Sequence, residues 1–227
     1  MMKASKTYQV WVVFLSILGT LLCYSCSGDS SDVLDESASS QGGGTLSTPY
    51  NDPDFYQYVR AAIGGNALPY SDDIMISDNA IGMKVPYIEG TSLDGGREII
   101  FDDSDTNLNQ NTIVIVLAHW CPHCRNEVRE LSKYFNETEI PRDVRITSLA
   151  TSIDASRTNY PPHDWFEEED WPIPVIIDTI ESDIADSLGV NIFPFFVVID
   201  ENGIVRLRLA GRMGIDGMGR LISDLSK

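Results

Sequence analysis

The stretch from Asn111 to Glu127, NTIVIVLAHWCPHCRNE, carries the features that decide the fold. Its first part, 111–120, is a continuous run rich in β-branched residues, which predicts a strand buried on both faces. From Cys121 to about Glu137, apolar residues recur at helical spacing and predict an amphipathic helix with one buried face, formed by Val128, Leu131 and Phe135. A strand that passes directly into a helix therefore stands at the centre of the chain.

Further β-prone and helical segments surround this unit. Two β-prone runs around a glycine-containing turn predict a hairpin over 84–101, and a weak helical pattern covers Asp52–Ile63. The later segments predict strands at 144–152 and 173–178, two strands around a tight turn at 195–211, and helices at 182–188 and 218–226. Alternating strands and helices followed by a hairpin indicate an α/β fold with a mixed sheet.

The two cysteines of the central stretch sit where a helix begins. Pro122 suits the first helical turn, where its missing N–H costs nothing. The free N–H groups and the dipole of a helix start favour an anion, which predicts that Cys121 is a thiolate of low pKa. Cys124 lies one turn later on the same side, about 5–6 Å away, where it can resolve a mixed disulfide. His123, as a donor or cation, would further stabilise the thiolate.

Two motifs carry a family resemblance. WCPHC after a hydrophobic strand resembles the active site of the thioredoxin superfamily, and GVNIFPFFVVIDENGIV (189–205) resembles a second motif of that superfamily. In that superfamily a proline with a cis peptide bond precedes the penultimate strand and packs against the cysteines, and Pro194 occupies that position. The leading hairpin and the extra segment Ser156–Trp171 resemble the membrane-tethered TlpA/ResA-like subgroup. The resemblance covers about residues 80–227.

The resemblance implies a thioredoxin-like fold, with a central mixed sheet flanked by helices and an N-terminal β-hairpin extension. It also implies a thiol–disulfide oxidoreductase that exchanges electrons with protein thiols or disulfides, needs no dissociable cofactor or metal, and has an integral membrane protein as a candidate donor or acceptor. The implied site comprises an attacking thiol, a resolving thiol, two neighbours that shape the local field and the proline of the opposing lip: Cys121, Cys124, Trp120, His123 and Pro194.

Two departures from the family pattern leave questions open. Many thioredoxins carry a buried carboxylate six residues before the first cysteine, but this chain has Ile115 there, so Glu127, Glu130 or water would have to accept protons. The Pro-His pair between the cysteines is that of the oxidant DsbA, whereas TlpA/ResA-like reductases generally carry other residues. The direction of electron flow therefore stays open.

The N-terminus has the pattern of a targeting segment. Lys3 and Lys6 precede the apolar run Val10–Leu22, which at about 1.5 Å per residue is too short for a ~30 Å hydrocarbon core and is typical of a signal peptide. An uncleaved anchor is the alternative, and either would place the domain outside the cytoplasm. Cys26, after Ser25, resembles the lipidated cysteine of a bacterial lipoprotein, although Cys23 stands where such signals usually have leucine.

These observations predict four regions. Residues 1–26 form a signal peptide or lipoprotein-type anchor, 27–48 a disordered Ser/Gly/Asp tether, 49–79 a helical or irregular extension, and 80–227 the thioredoxin-like domain. The net charge of −18 argues against nucleic acid as a partner. The four cysteines form two close pairs and not a spread framework, which argues against a disulfide-stapled mini-protein.

The same residues allow three other functions. Cys121 and Cys124 with a histidine (His119, His123 or His163) could bind copper or zinc, which would make the chain a copper-delivery protein. For His119 itself, a surface position is expected. The domain could instead dock a partner through Trp120, Phe193 and Phe195 without turnover. A peroxide-reducing enzyme of similar fold ranks lower, because its reactive cysteine sits in a different local pattern.

Overall fold

A computed structural model describes residues 54–70, 78–104 and 110–226. The predicted signal segment, Cys26 and the tether lie outside these ranges. The strands are β1 (Ala62–Gly64), β2 (Tyr87–Ser92), β3 (Arg97–Phe101), β4 (Asn111–Leu117), β5 (Val144–Ala150), β6 (Val175–Ile177), β7 (Phe195–Ile199) and β8 (Val205–Ala210). The helices are α1 (Phe55–Tyr58), α2 (Pro122–Glu137), α3 (Pro162–Glu168), α4 (Asp183–Ser187) and α5 (Gly214–Leu225).

One mixed sheet contains all of these strands. Its order is β1-β2-β6-β5-β4-β7-β8, with β3 paired to β2. β4, β5 and β6 are parallel, whereas β7 is antiparallel to β4 and β8 to β7. The fold class expected from the sequence, a mixed sheet flanked by helices, is therefore confirmed. The predicted hairpin β2–β3 is also present, and it joins the central sheet because β2 pairs with β6.

The central strand β4 is buried along its whole length, as its apolar run predicts. One face packs against α2, α3 and α5, and the other against α4 and the segments before β2. The end of β4 pairs with the beginning of β7, in a register that places Val116 opposite Phe195. Residues that follow β4 therefore lie at the same edge of the sheet as residues that precede β7.

Two boundaries differ from the sequence-based expectations, and in each case a distant residue is the reason. Among the residues described from position 54 onward, the helix expected over Asp52–Ile63 is limited to α1, because Ala62–Gly64 pairs with β2 as strand β1. The last helix begins at Gly214 instead of 218. The N–H groups at its start donate hydrogen bonds to the carboxylate of Glu127, which lies 87 positions before Gly214 in the chain.

The described residues that precede β2, from position 54 onward, contribute side chains to the core. Tyr56 and Val59 are buried in the core beneath α2 and α3, and Leu68 is buried on the opposite face of the sheet. Within the described ranges, no helix has both the length and the apolar character needed to cross a membrane.

Candidate functional site

The cysteine pair lies at the carboxyl end of β4, where α2 begins. Cys121 has an extended backbone conformation and is the N-cap of α2, with Pro122 in the first turn. A turn closed by the Cys121 N–H and the Ala118 carbonyl joins the strand to the helix, with an N···O distance of 3.0 Å. The strand–helix junction has the form that the sequence predicts, and it places the Cys121 side chain at the positive end of a 16-residue helix.

Both thiols are free and buried, but to different degrees. Cys121 retains 6% of its surface exposed, whereas Cys124 retains none. The Ala118 N–H donates to Cys124 Sγ across 3.5 Å. Burial, together with the neighbouring Cys121 thiol, raises the pKa of Cys124. Cys124 is therefore the protected member of the pair, and Cys121 is the one that an external sulfur atom can reach.

The segment before β7 forms the facing side of the site. The Phe193–Pro194 peptide bond is cis, the geometry that the family resemblance implied. The Cys121 thiol donates to the Phe193 carbonyl across 3.6 Å, and the Pro194 carbonyl accepts the Gly211 N–H at 2.8 Å. The Phe193 carbonyl and Cys121 Sγ are thus direct neighbours, although their residues are 72 positions apart in sequence.

Trp120 forms the side wall of the site. Its indole contacts the Phe193 ring edge-to-face with 6.2 Å between centroids, and the Arg157 guanidinium lies over the indole at 4.3 Å. The indole Nε1–H donates to the Ser152 carbonyl across 2.8 Å. His123, in the first turn of α2, is exposed. Sequence reasoning anticipated Trp120 and His123 at this site, but it did not anticipate the loop that carries Arg157.

His119 is not the surface histidine that the sequence led us to expect, because it is only 1% exposed. Its Nδ1 lies 2.8 Å from the Thr158 carbonyl, and the Asp154 N–H donates to Nε2 across 3.2 Å. A carbonyl can only accept and an amide N–H can only donate, so the ring is neutral with its proton on Nδ1. The Asn159 side chain also donates to the His119 carbonyl. The loop 152–160 after β5 buries this histidine.

The free energy of unfolding should decrease as the pH is lowered, and part of this decrease should depend on His119. Burial lowers the pKa of His119 below 6.5, although the Thr158 carbonyl and Asp154 partly offset the effect. The stability contributed by neutral His119 is therefore complete above pH 6.5 and is lost as the pH falls through the folded-state pKa. We expect the free energy of unfolding, measured by urea denaturation from pH 7.5 to 5, to decline more steeply for the native protein than for His119→Gln.

Other titrating groups are common to both proteins in this comparison. The pKa of His163 is also lowered by burial, and burial raises the pKa of Asp178 to about 6, which stabilises the fold as the pH falls. Only the difference between the two curves reports on His119. Parallel curves would show that His119 does not change protonation on unfolding.

The carboxylates considered as proton acceptors are bound to other groups. Ile115 is fully buried, so the usual family position holds no acid. Glu127 is also fully buried and accepts from Arg212 Nε and from the N–H groups of Met213 and Gly214. Glu130 pairs with the same arginine across 2.6 Å. Glu127 therefore connects α2 to the start of α5, and its charge adds to the effects that raise the pKa of Cys124.

Two of the three histidines considered for a metal site, His119 and His163, have their ring nitrogens in use, and the third, His123, is exposed. Both nitrogens of His119 are hydrogen-bonded to the loop. His163 Nδ1 lies 3.0 Å from the Tyr56 hydroxyl, and its Nε2 lies 2.7 Å from Asp164 Oδ1. In the described part of the chain, no three His, Cys, Asp or Glu side chains are grouped so that they could hold a metal ion. The copper-delivery alternative therefore finds no third ligand beside the two cysteines among these residues.

Solved structures with the same fold come from several bacteria. A DsbF homologue from Corynebacterium diphtheriae aligns with a TM-score of 0.54 at 16% identity, over 71% of this chain and 100% of that chain. The thioredoxin domain of a thiol-disulfide oxidoreductase from Bacteroides vulgatus gives a TM-score of 0.51 at 19% identity, over 65% and 99%. DsbF from Mycobacterium tuberculosis gives 0.50 at 19% identity, over 61% and 94%. These similarities establish a thioredoxin-like fold.

Sequence comparison gives the family. No curated protein sequence matches the chain significantly. A family model does match, and it extends over residues 81–208, from the segment before β2 to within β8, so that it includes the cysteine pair and the segment before β7. This is more than half of the chain, and the chain belongs to the AhpC/TSA family.

Proposed function

We propose that the protein is a thiol–disulfide oxidoreductase that exchanges electrons with protein substrates through Cys121 and Cys124. One observation carries the proposal: two free thiols lie one helical turn apart. Cys121, which retains 6% of its surface exposed, lies at the start of α2 beside the Phe193 carbonyl, and Cys124 is fully buried. The start of a helix favours a thiolate, which is the nucleophile in disulfide exchange. A backbone carbonyl beside the sulfur offers a hydrogen-bond acceptor to an extended substrate segment.

The reaction proceeds in two exchanges. The Cys121 thiolate attacks one sulfur of the substrate disulfide, so that a Cys121–substrate disulfide forms and the first substrate sulfur leaves as a thiolate. Cys124 then loses its proton and attacks Cys121 Sγ, which forms the Cys121–Cys124 disulfide and releases the second substrate thiolate. Two electrons pass from the protein to the substrate, and the two substrate thiolates take up protons. The same steps in reverse oxidise a substrate dithiol.

The burial of Cys124 fits this order of events. Since its pKa is raised, Cys124 stays protonated and does not compete with Cys121 for the substrate disulfide. A mixed disulfide on Cys121 removes the neighbouring thiol and its charge, which favours ionisation of Cys124 for the second step. Pro194 lines the substrate side of this pair, while Trp120 and His123 lie beside it.

We place this activity outside the cytoplasm, at a membrane. The support is the sequence pattern of residues 1–26, with Cys26 as the lipidation candidate and 27–48 as a tether to the domain at 80–227, which is preceded by the extension 49–79. The partners would be protein thiols or disulfides and an integral membrane protein that donates or accepts electrons. Cell fractionation, with metabolic labelling by a fatty acid and a Cys26→Ala control, tests the location.

A redox titration tests the proposed exchange. Equilibration in dithiothreitol or glutathione buffers, followed by alkylation and mass spectrometry, should show one reversible two-electron transition between about −270 and −120 mV, the range of thioredoxin-like enzymes. The position within the range indicates the direction: the negative end suits a reductase and the positive end an oxidase. Cys121→Ser is the control and should show no transition. If the native pair formed no reversible disulfide in this range, the proposed function would be wrong.

A further inference from the structure

Beside the cysteine pair, the loop 152–160 presents a cation that the exchange steps do not use. Arg157 lies over the indole of Trp120, the residue that precedes Cys121. The Arg157 side chain is 52% exposed. Its Nε pairs with Asp154 Oδ2 at 3.2 Å. In the described part of the chain, the two terminal guanidinium nitrogens have no hydrogen-bond partner. The planar fork that binds a carboxylate through two parallel hydrogen bonds is therefore open to solvent at the edge of the site.

The loop that carries Arg157 is fixed to the residues just before the nucleophile. The His119 ring is held by the Thr158 carbonyl and the Asp154 N–H, and the His119 carbonyl is held by Asn159. Trp120 adds a fourth bond, to the Ser152 carbonyl. The loop is attached specifically to His119 and Trp120, because both ring nitrogens of the buried His119 are hydrogen-bonded to loop backbone.

Within the loop, Asp154 fixes the position of the arginine. Its side chain accepts from the N–H and the hydroxyl of Ser156, and it also pairs with Arg157. The arginine is thus placed before a substrate arrives, with its guanidinium stacked over the Trp120 indole, its Nε paired with Asp154 and its two terminal nitrogens free at the edge of the stack. Preorganisation of this kind lowers the entropy that a charged side chain loses on binding.

We propose that Arg157 is a specificity-determining residue that binds a carboxylate located beside the substrate's reacting disulfide, and that His119 is the positioning residue that holds its loop against Trp120. The inference rests on the proposed function and names the class of substrate: a disulfide flanked by acidic groups. Such a carboxylate could belong to an acidic side chain of a protein segment or to a small peptide thiol such as glutathione, and the test below includes both sources.

Single-turnover kinetics of the reduced protein provide the test. The substrates are a short peptide dimer joined by one cysteine disulfide with glutamate on both sides of the cysteine, the same dimer with glutamine, and oxidised glutathione. We expect the native protein to react about tenfold faster with the glutamate dimer than with the glutamine dimer, and this ratio should shrink as salt is added. In Arg157→Gln the ratio should fall to within about twofold of one.

Two further variants separate positioning from general damage. His119→Ala should reduce the glutamate-to-glutamine ratio as Arg157→Gln does, and the double variant should lose no more than either single one. Arg142→Gln, at an exposed arginine beside the amino end of β5 and hence at the opposite edge of the sheet, should leave the ratio unchanged.

The possible outcomes distinguish this inference from the proposed function. If Arg157→Gln lowers the rate with oxidised glutathione as much as the rate with the glutamate dimer, the source of the carboxylate is a small peptide thiol. If only the rate with the glutamate dimer falls, the source is a protein segment. A preference for the acidic dimer that persists in Arg157→Gln, or that is absent from the native protein, overturns the inference while leaving the exchange activity in place. No reaction with any of the disulfides overturns the proposed function itself.

Discussion

Cys121→Ser should lower the rate of disulfide reduction by on the order of 10³-fold or more, to the level of the uncatalysed reductant. A hydroxyl at this position remains protonated and cannot form the mixed disulfide that begins the reaction, whereas the start of α2 and the contact with Phe193 would be unchanged. The measurement is the rate at which a disulfide-linked peptide is reduced with dithiothreitol as the electron source, monitored by fluorescence.

The matched control for this prediction is a substitution at the same helix start that replaces neither cysteine. Pro122→Ala retains both thiols and the helix, so it should lose far less activity than Cys121→Ser. Urea denaturation of each variant shows whether the fold is intact. If Cys121→Ser retained a substantial part of the native rate while Cys124→Ser did not, the roles assigned to the two thiols would have to be exchanged.

Arg208→Ala should lower the free energy of unfolding by about 3–5 kcal/mol, the usual cost of removing one partner of a buried ion pair. The guanidinium is fully buried on β8 and pairs with Asp78, whose side chain is 6% exposed, with a distance of 2.8 Å between Nε and Oδ2. It also donates to the Leu188 carbonyl at the end of α4. Its loss leaves an uncompensated carboxylate and an unsatisfied carbonyl in the interior.

Denaturation of three variants separates this ion pair from simple loss of packing. Arg142→Ala, at an exposed site, should cost less than about 0.5 kcal/mol. Replacement of both Asp78 and Arg208 by leucine should be less damaging than Arg208→Ala, because no charge is then left unpaired. If the double leucine variant were the least stable, volume and shape at this position would matter more than charge.

The pKa of Asp78 gives the pH dependence of the same interaction. Burial alone would raise this pKa, but the hydrogen bonds from Arg208 and the Ala80 N–H outweigh it and lower the pKa below 3.8. The ion pair therefore contributes its full stability above pH 3.8, and the contribution is lost as the pH falls through the folded-state value. This interaction holds residues 78–80 to the domain under neutral conditions.

Most of the central architecture could be predicted from local sequence. The β4 run is buried on both faces and therefore lacks alternation, and α2 has a clear apolar stripe, so both elements were identified near their true bounds. The strand–helix junction at Cys121 followed from Pro122 and the position of the cysteines. The cis proline could not be deduced from local propensity, and Pro194 was found only through the family resemblance.

Interactions between distant residues explain what the sequence did not reveal. His119 looked like a polar residue at a strand end, because the loop atoms that satisfy its ring lie 35 and 39 positions further along. The pairing of Asp78 with Arg208 joins residues 130 positions apart. Asp178 has a similar role, since its carboxylate accepts a hydrogen bond from the hydroxyl of Thr151, 27 positions earlier in the chain. No local pattern distinguishes these residues from ordinary surface polar groups.

The most direct test of the exchange site is the covalent species that accumulates when the second step is blocked. Cys124→Ser, purified and mixed with a disulfide-linked peptide, should collect as a mixed disulfide, and peptide mapping by mass spectrometry should locate the attached peptide on Cys121. The account predicts this adduct in Cys124→Ser and its absence in the double variant Cys121→Ser/Cys124→Ser. Accumulation of the adduct at any residue other than Cys121, or no adduct at all, would contradict it.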